Sequence, residues 1–217
     1  MNILVIGRGG REHAIVWALA KSDKAKKIWC APGNAGIAAI AEPVDIGKME
    51  FDRLVQFAQD NAIDLVVVGP DDPLAAGIVD AFEAARVPVY GPRRNAAEIE
   101  GSKIFMKNLL RKYGIPTAKY ETFTDYESAA AYLREQPVPI VIKADGLAAG
   151  KGVTVCFTRE EAEHALRETM VTKSFGAAGD RVVIEEFLEG QEMSILAFVD
   201  GETVRPMSPA QDHKPAF

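Results

Sequence analysis

Apolar positions follow two kinds of pattern along the first hundred residues. Ile3 to Ile6, Lys27 to Ala31, Asp64-Leu-Val-Val-Val68 and Val87-Pro-Val-Tyr90 are short, largely unbroken runs of the length and β-branched character of buried strands. Between them the spacing is helical: Ala14, Trp17, Ala18 and Lys21 share one face, as do Phe51, Leu54, Val55 and Ala58, and Ile78, Val79 and Phe82 build a third helix. Strands alternating with helices predict a parallel sheet with right-handed crossovers. Ligands of such sheets sit beyond the carboxyl ends of the strands. Three of those ends carry Gly9-Gly10, Pro32-Gly33-Asn34 and Gly69-Pro70-Asp71-Asp72. A tight turn explains any one of them; three on one edge favour a ligand site.

The pattern changes near residue 100. Gly101-Ser-Lys103 opens a helix that Ser102 can cap, with Ile104, Phe105, Leu109 and Leu110 as its apolar face and Tyr113-Gly-Ile-Pro-Thr117 as its stop. Thr124-Asp-Tyr-Glu127 and Thr158-Arg-Glu-Glu161 have capping-box spacing, the second opening a helix with Ala162, Ala165 and Leu166 inward. Between these lies Ile140-Val-Ile-Lys-Ala-Asp-Gly-Leu-Ala-Ala-Gly-Lys-Gly-Val-Thr-Val155, two β-branched runs around a glycine-rich loop. It reads as a hairpin with a long tip. Arg181 to Leu188 is a further strand ending in Glu185-Glu186, Glu189 to Val199 returns as another, and Asp200-Gly201 is a hairpin turn. Helices beside hairpins are α+β, so the expected boundary falls near residue 100. The ending, Gln211-Asp-His-Lys-Pro-Ala-Phe217, has no capping, turn or tail character and reads as cut.

Composition narrows the function. Apolar residues are 48% and charged residues 26% of the 217, ordinary for a folded protein with a real core. A formal net charge of −6 argues against a nucleic-acid binder and leaves a local basic cluster to meet a small anion. Cys30 and Cys156 sit in separate predicted strands and read as buried, reduced packing residues rather than a disulfide or metal pair. Asn2-Ile-Leu-Val-Ile6 is too short for a signal h-region and no run reaches membrane-spanning length, so a cytoplasmic location without a membrane partner is expected.

The loop at residues 146–152 has the chemistry of a polyphosphate site. Gly146, Gly150 and Gly152 let backbone amides approach closely, and Lys143 and Lys151 supply charge. Because it joins two strands it is not a P-loop. In Gly7-Arg-Gly-Gly-Arg-Glu-His13, by contrast, Glu12 stands where a dinucleotide fingerprint needs its third glycine, and no acidic residue ends the next strand. This argues against NAD and leaves a phosphate or sugar phosphate. Lys103 is electrostatically misplaced at a helix N-terminus, which favours a functional role over a solvated one. Glu185 and Glu186 are adjacent on a strand and must point to opposite faces. His13 and His213 stand alone, and neither implies a metal.

Several motifs together resemble one family: Gly7 to His13, Ala31-Pro-Gly-Asn34, Gly69-Pro70 with Pro73-Leu74, Gly101-Ser-Lys103, Ile140 to Val153, Ile184-Glu-Glu-Phe-Leu188 and Gln211-Asp-His-Lys214. They are similar to the phosphoribosylamine–glycine ligases of the ATP-grasp superfamily. The resemblance covers the whole sequence and implies the N-terminal half of a chain about twice as long. It implies an α/β fold: a parallel-sheet, Rossmann-like domain over residues 1–100, an α+β ATP-grasp linker and lid over residues 101–189, and the start of a further lobe at 190–217.

It also implies a reaction. ATP phosphorylates glycine, and the amine of 5-phosphoribosylamine attacks the glycyl phosphate, giving glycinamide ribonucleotide, ADP and phosphate in purine synthesis. Carried over, Lys103 and Lys143 reach the ATP phosphates, and Gly146, Gly150, Lys151 and Gly152 belong to the lid. Glu185, Glu186, Phe187 and Leu188 form the adenine-reading hinge, and Glu192 holds the ribose. Gly9, Gly10, Asn34, Gly69, Pro70 and Asp71 line the phosphoribosylamine pocket. No catalytic residue is assigned. Magnesium or manganese is implied with ATP, its ligands and most of the glycine site lying beyond residue 217, and a monomer is implied for the intact protein. Asp71 departs from the glutamate usual at that position, and Asp72 beside it is unusual too, which leaves that contact open. The alternatives are another ATP-grasp carboxylate–amine ligase, against which the Arg11-Glu-His13 and Gln211 to Lys214 matches weigh, and a nucleotide-binding module without chemistry.

Overall fold

The computed structural model describes residues 1–148 and 151–211. Gly150 and the Asp-His-Lys run at 212–214, including His213, lie outside the described residues. Five strands form the first sheet: β1 (Asn2–Gly7), β2 (Lys27–Pro32), β3 (Glu42–Pro43), β4 (Leu65–Val68) and β5 (Val89–Tyr90). All its pairings are parallel, in the order β3-β2-β1-β4-β5. The order reverses between β1 and β4, so the crevice above those two strands is where an open α/β sheet binds.

Helices α1 (Gly10–Leu19), α2 (Phe51–Asp60), α3 (Asp71–Ala76), α4 (Ile78–Ala84) and α5 (Arg94–Gly101) accompany this sheet. Leu4, Ile6, Leu54, Val66, Ile78 and Phe82 form the core on one face, and Ile3, Val5, Val16 and Cys30 that on the other. The α1 face differs from the expected one. Glu12 and Val16 point inward while Trp17 is 55% exposed, with Lys21 over its ring. A buried carboxylate at the head of the helix set the rotation, which apolar spacing alone could not anticipate. The helix expected around Ile78 is two helices, broken at Gly77 by a left-handed backbone (φ +98). Sequence periodicity also missed α5, whose eight residues bury only Ala97.

The remainder is built differently. Strands β6 (Tyr120–Phe123), β7 (Ile140–Ala144), β8 (Val153–Cys156) and β9 (Val182–Glu186) make an antiparallel sheet in the order β6-β9-β7-β8. Helix α6 (Lys103–Lys112) leads into it, and α7 (Tyr126–Glu135) and α8 (Arg159–Met170) cover one face. Strand alternation sends Ile140, Ile142, Val182 and Ile184 to those helices. Val141, Lys143, Val183 and Glu185 therefore line the opposite face.

Ser102 caps α6 by accepting from the Phe105 N–H at 3.1 Å, and Thr158 with Glu161 forms the expected capping box of α8. The cap of α7 is Asp125, accepting from Ser128 N–H at 2.8 Å, rather than Thr124. A carboxylate one position on satisfies the same orphan donors more strongly. The strand expected over residues 189–199 shortens to β10 (Ala197–Asp200), which pairs with β11 (Thr203–Pro206) and not with β9. Its Phe198 meets Tyr90 at the end of the first sheet, ring centroids 5.9 Å apart. Cys30 and Cys156 are buried free thiols, both pushed up by burial, to about 12 and about 11. No helix of the described residues is long and apolar enough to cross a membrane.

Candidate active site

At the carboxyl edge of the first sheet, three loops are bonded to one another. Gly33 N–H donates to Gly7 O at 3.0 Å, the Asn34 amide to Arg8 O at 2.7 Å, and Arg11 to Gly69 O at 2.8 Å. Asn34 Oδ1 also accepts from Ile37 N–H, so both ends of that amide are engaged. Glu12 is buried in the crevice between β1 and β4, and its Oε2 accepts the Gly9 N–H at 2.5 Å. A Cβ on Gly7 or Gly69 would lie 2.4 or 2.3 Å from Glu12 atoms, so both glycines are needed to seat this side chain. The chain's own carboxylate thus occupies the place where a dinucleotide would bring its pyrophosphate. Gly10 is open, with nothing near its Cα on the side a side chain would take.

The two acidic residues after Pro70 have separate positions. Asp72 pairs with Lys48 at 2.6 Å, and Asp71 lines a cavity of about 350 Å³ that opens toward the second sheet. The cavity is also lined by Lys103 and Lys107 of α6, Lys143 of β7, Glu185 of β9, and Gly146 and Gly152 of the loop. Met106, Val153 and Val183 supply apolar wall. Asp71 at the head of α3 and side chains of the second sheet therefore face one space.

Two buried carboxylates organise the lysines. Asp145 accepts from Ser102 Oγ at 3.1 Å, from Ile104 N–H at 3.0 Å and from Arg181 at 2.6 Å. It thereby caps α6 from a distance and ties the base of the glycine-rich loop to that helix. Lys103, one residue from this cap, donates to Gly146 O at 2.7 Å. Burial pulls its ammonium below the ordinary lysine value, against the opposing pull of Asp145 and Glu100. Its place at a helix N-terminus, anomalous in the sequence, is thus compensated by Asp145. The second carboxylate, Glu185, pairs with Lys107 through Oε2 and with Lys143 through Oε1. Lys107 is only 3% exposed and also donates to Thr117 Oγ1 at 2.7 Å. Burial lowers its pKa too, Tyr120 and Glu186 opposing.

Of the other predicted positions, Lys151, Glu186, Leu188 and Glu192 lie outside the lining of this cavity. Gly146 takes a positive φ (+117) that a residue with a side chain rarely adopts. Lys151 is exposed, its N–H donating to Ala148 O at 2.9 Å. Glu185 and Glu186 do point to opposite faces: Glu186 is exposed and accepts from Lys119 N–H at 2.8 Å. Phe187 packs on Phe157, Leu188 is 65% exposed, and Glu192 is exposed. Sequence reasoning passed over Lys107 and Asp145. Asp145 stood inside the quoted loop motif, but two of its partners, Ser102 and Ile104, lie more than forty residues upstream at the head of α6. Among the described residues no group of three or more His, Cys, Asp or Glu side chains is placed to hold a metal ion.

Comparisons with known proteins follow the same division. Residues 1–100 match the phosphoribosylglycinamide synthetase N domain, and residues 101–217 match the ATP-grasp (A) domain of the same family. A phosphoribosylamine–glycine ligase of Halalkalibacterium halodurans is 55% identical over all of this chain and 51% of its own length. That of Pasteurella multocida is 55% identical over 99% of this chain and 50% of its own. The chain spans about half the length of the curated relatives it matches. Among solved structures, the phosphoribosylamine–glycine ligase of Thermotoga maritima superposes with a TM-score of 0.79 at 31% identity, over 96% of this chain and 49% of that one. A biotin carboxylase from Campylobacter jejuni superposes at 0.74 with 17% identity, over 94% and 49%, which shows the shared fold alone.

Proposed function

The chain belongs to the phosphoribosylglycinamide synthetase family, and we propose from that premise that it carries the nucleotide lid and amine-substrate domain of an ATP-dependent phosphoribosylamine–glycine ligase. Residues 1–100 are then the substrate domain, residues 101–189 the linker and lid, and residues 190–217 the start of a further lobe. In the reaction, a glycine carboxylate oxygen bonds to the γ-phosphorus of ATP as the bond to ADP breaks. The phosphoribosylamine nitrogen then bonds to the acyl carbon, phosphate leaves, and the nitrogen gives up a proton. A carboxylate is a poor electrophile, and phosphorylation supplies the leaving group that makes the second step possible.

The observation that carries this reading is the shared cavity. Asp71, at the carboxyl edge of the first sheet, lines the same space as Lys103, Lys143, Gly146 and Gly152. An amine held at the first sheet would lie beside a phosphoryl group held by the lysines, which is the proximity that ligation through an acyl phosphate needs. Lys103 and Lys143 offset charge on the transferred group, and the glycine-rich loop keeps water from the hydrolysable intermediate. Lys48 holds Asp72 away, leaving Asp71 as the carboxylate presented to an amine. A divalent cation accompanies ATP in this chemistry, and among the described residues no group of three or more His, Cys, Asp or Glu side chains is placed to hold one.

The test is ADP release by the full-length protein. Turnover that requires both glycine and phosphoribosylamine is the expected result; release independent of glycine would overturn the reading. The 217-residue chain by itself is expected to bind ATP weakly and to form no product.

A further inference from the structure

Lys107 is a buried cation that the proposed reaction leaves without a task. It sits on the inner face of α6, 3% exposed, and meets a carboxylate, Glu185, that is equally buried. Glu185 is shared: Oε2 pairs with Lys107, and Oε1 with the more accessible Lys143 on the neighbouring strand. A hydroxyl and a backbone carbonyl fix Lys107 in place, Thr117 Oγ1 at 2.7 Å and Ala118 O at 3.4 Å. Glu185 Oε1, by contrast, has Lys143 as its ion-pair partner and takes no hydrogen bond.

Resting on the nucleotide reading above, we infer that Lys107 is a positioning residue for phosphate binding: as the fixed counter-ion of Glu185, it leaves Lys143 with a net charge to give to the triphosphate. The argument is electrostatic. One buried carboxylate facing one lysine makes a neutral pair, and pulling that lysine onto a phosphate would strand a buried anion, at severe cost. Two ammonium groups around the same carboxylate carry a net positive charge of one. Lys143 can then leave Oε1 for a phosphate oxygen while Lys107 keeps Glu185 neutralised. Glu185 thereby holds Lys143 near its working position without cancelling it, and the immobile partner is the one on the helix.

The decisive comparison is between ATP and adenosine, titrated into the full-length protein and followed by NMR. Lys107→Met is expected to weaken ATP by about tenfold, the worth of one charge-assisted contact, while adenosine affinity stays as it was. Adding Glu185→Gln to Lys107→Met removes the stranded anion, and the ratio of ATP to adenosine affinity should return toward that of the unaltered protein. Equal losses for both ligands would mark Lys107 as merely structural and overturn the inference. So would unchanged ATP affinity in Lys107→Met, or a double variant that recovers nothing. Should Lys107→Met fail to fold, the unaltered protein with 13Cε-labelled lysine serves instead. ATP is expected to shift the Lys143 resonance and leave that of Lys107 in place, and a Lys107 shift as large as that of Lys143 contradicts a fixed counter-ion. Failure of the unaltered protein to bind ATP at all would defeat the nucleotide reading, and this inference with it, a result distinct from the others.

Discussion

Two glycine-rich turns in this chain look alike in sequence and are opposites in structure. Gly7 to Gly10 follows a strand and opens a helix, the arrangement that ordinarily receives a phosphate. Its crevice is filled instead by Glu12, whose carboxylate takes the Gly9 N–H and packs against Gly7 and Gly69. The loop after β7 joins two strands and offers no helix N-terminus among its described residues, yet three lysines reach the cavity beside it. Lys103 and Lys143 rest on protein acceptors, Gly146 O and the Glu185 carboxylate, from which an incoming anion can draw them, while Lys107 stays on Glu185. The glycines serve different ends. At the first turn they make room for a carboxylate; at the second, Gly152 makes room for Ala148, whose Cβ would lie 2.7 Å from an added Cβ, and Gly146 carries a positive φ of +117. What decides an anion site is the group that already satisfies the donors, which composition does not reveal.

The largest expected effect tests the first turn. Gly7→Ala would place a Cβ 2.4 Å from Glu12 on a backbone at φ +128. Overpacking and a disfavoured backbone together should cost about 2–4 kcal/mol, read as a lower midpoint in urea denaturation. Gly69→Ala meets the same side chain at 2.3 Å and should cost about 1–3 kcal/mol. Because the clash is with one flexible side chain, that cost should shrink strongly in a Glu12→Ala background. Two additive losses would mean that Glu12 is not what these glycines accommodate.

The second turn is tested through binding. Lys143→Ala should weaken ATP by roughly 1.5–3 kcal/mol, at least about tenfold, with little change in thermal midpoint, because Lys107 still neutralises Glu185 when Lys143 is gone. An affinity equal to that of the unaltered chain would remove this lysine from the phosphate site and erase the contrast between the loops.

How much of this could be read from the sequence depends on how local the cause is. The buried runs of β1 and β4, the cap at Ser102, the capping box at Thr158 and the opposite faces of Glu185 and Glu186 are set by neighbours within a few residues, and each was legible. The face of α1 was not, because its inward position at the first turn is a carboxylate, and pattern rules put carboxylates outside. Lys107 was invisible for the same reason: a lysine on an amphipathic helix reads as solvated until a carboxylate more than seventy residues away is seen to meet it. That Asp71 shares a cavity with the lysines needed the second sheet to be placed opposite the first. Charge pairs between distant elements leave no periodic trace.

Proton linkage gives a smaller, graded test of the lysine cavity. Burial holds Lys103 below its ordinary value of 10.5. As pH rises through that lowered value the ammonium is lost, so ATP affinity should decline severalfold in a window that opens below 10.5. Stability moves the other way. A base with a depressed folded-state pKa carries its burial penalty at low pH, and the penalty is relieved as pH rises from the folded pKa toward the unfolded one. ATP affinity falling while this group's contribution to stability rises is the expected signature. Affinity that holds constant up to the ordinary lysine range would place Lys103 away from the phosphates.

The mildest change bears most directly on why the first turn differs. Glu12→Gln keeps the shape in the crevice and an oxygen able to accept from Gly9 N–H, and it removes only the charge. If the carboxylate serves as the permanent anion at the head of α1, the loss should be that of a charge at a helix N-terminus, about 0.3–1 kcal/mol, with the Gly9 amide still protected from hydrogen exchange. Glu12→Ala should go further, since it also empties the crevice and exposes that amide. Neither change should move ATP affinity, because Glu12 does not line the lysine cavity. A Gln variant as damaged as the Ala variant would mean that charge dominates shape at this site. One as stable as the unaltered chain would mean that the crevice asks only for a side chain of that size, and the contrast between the two turns would then rest on packing alone.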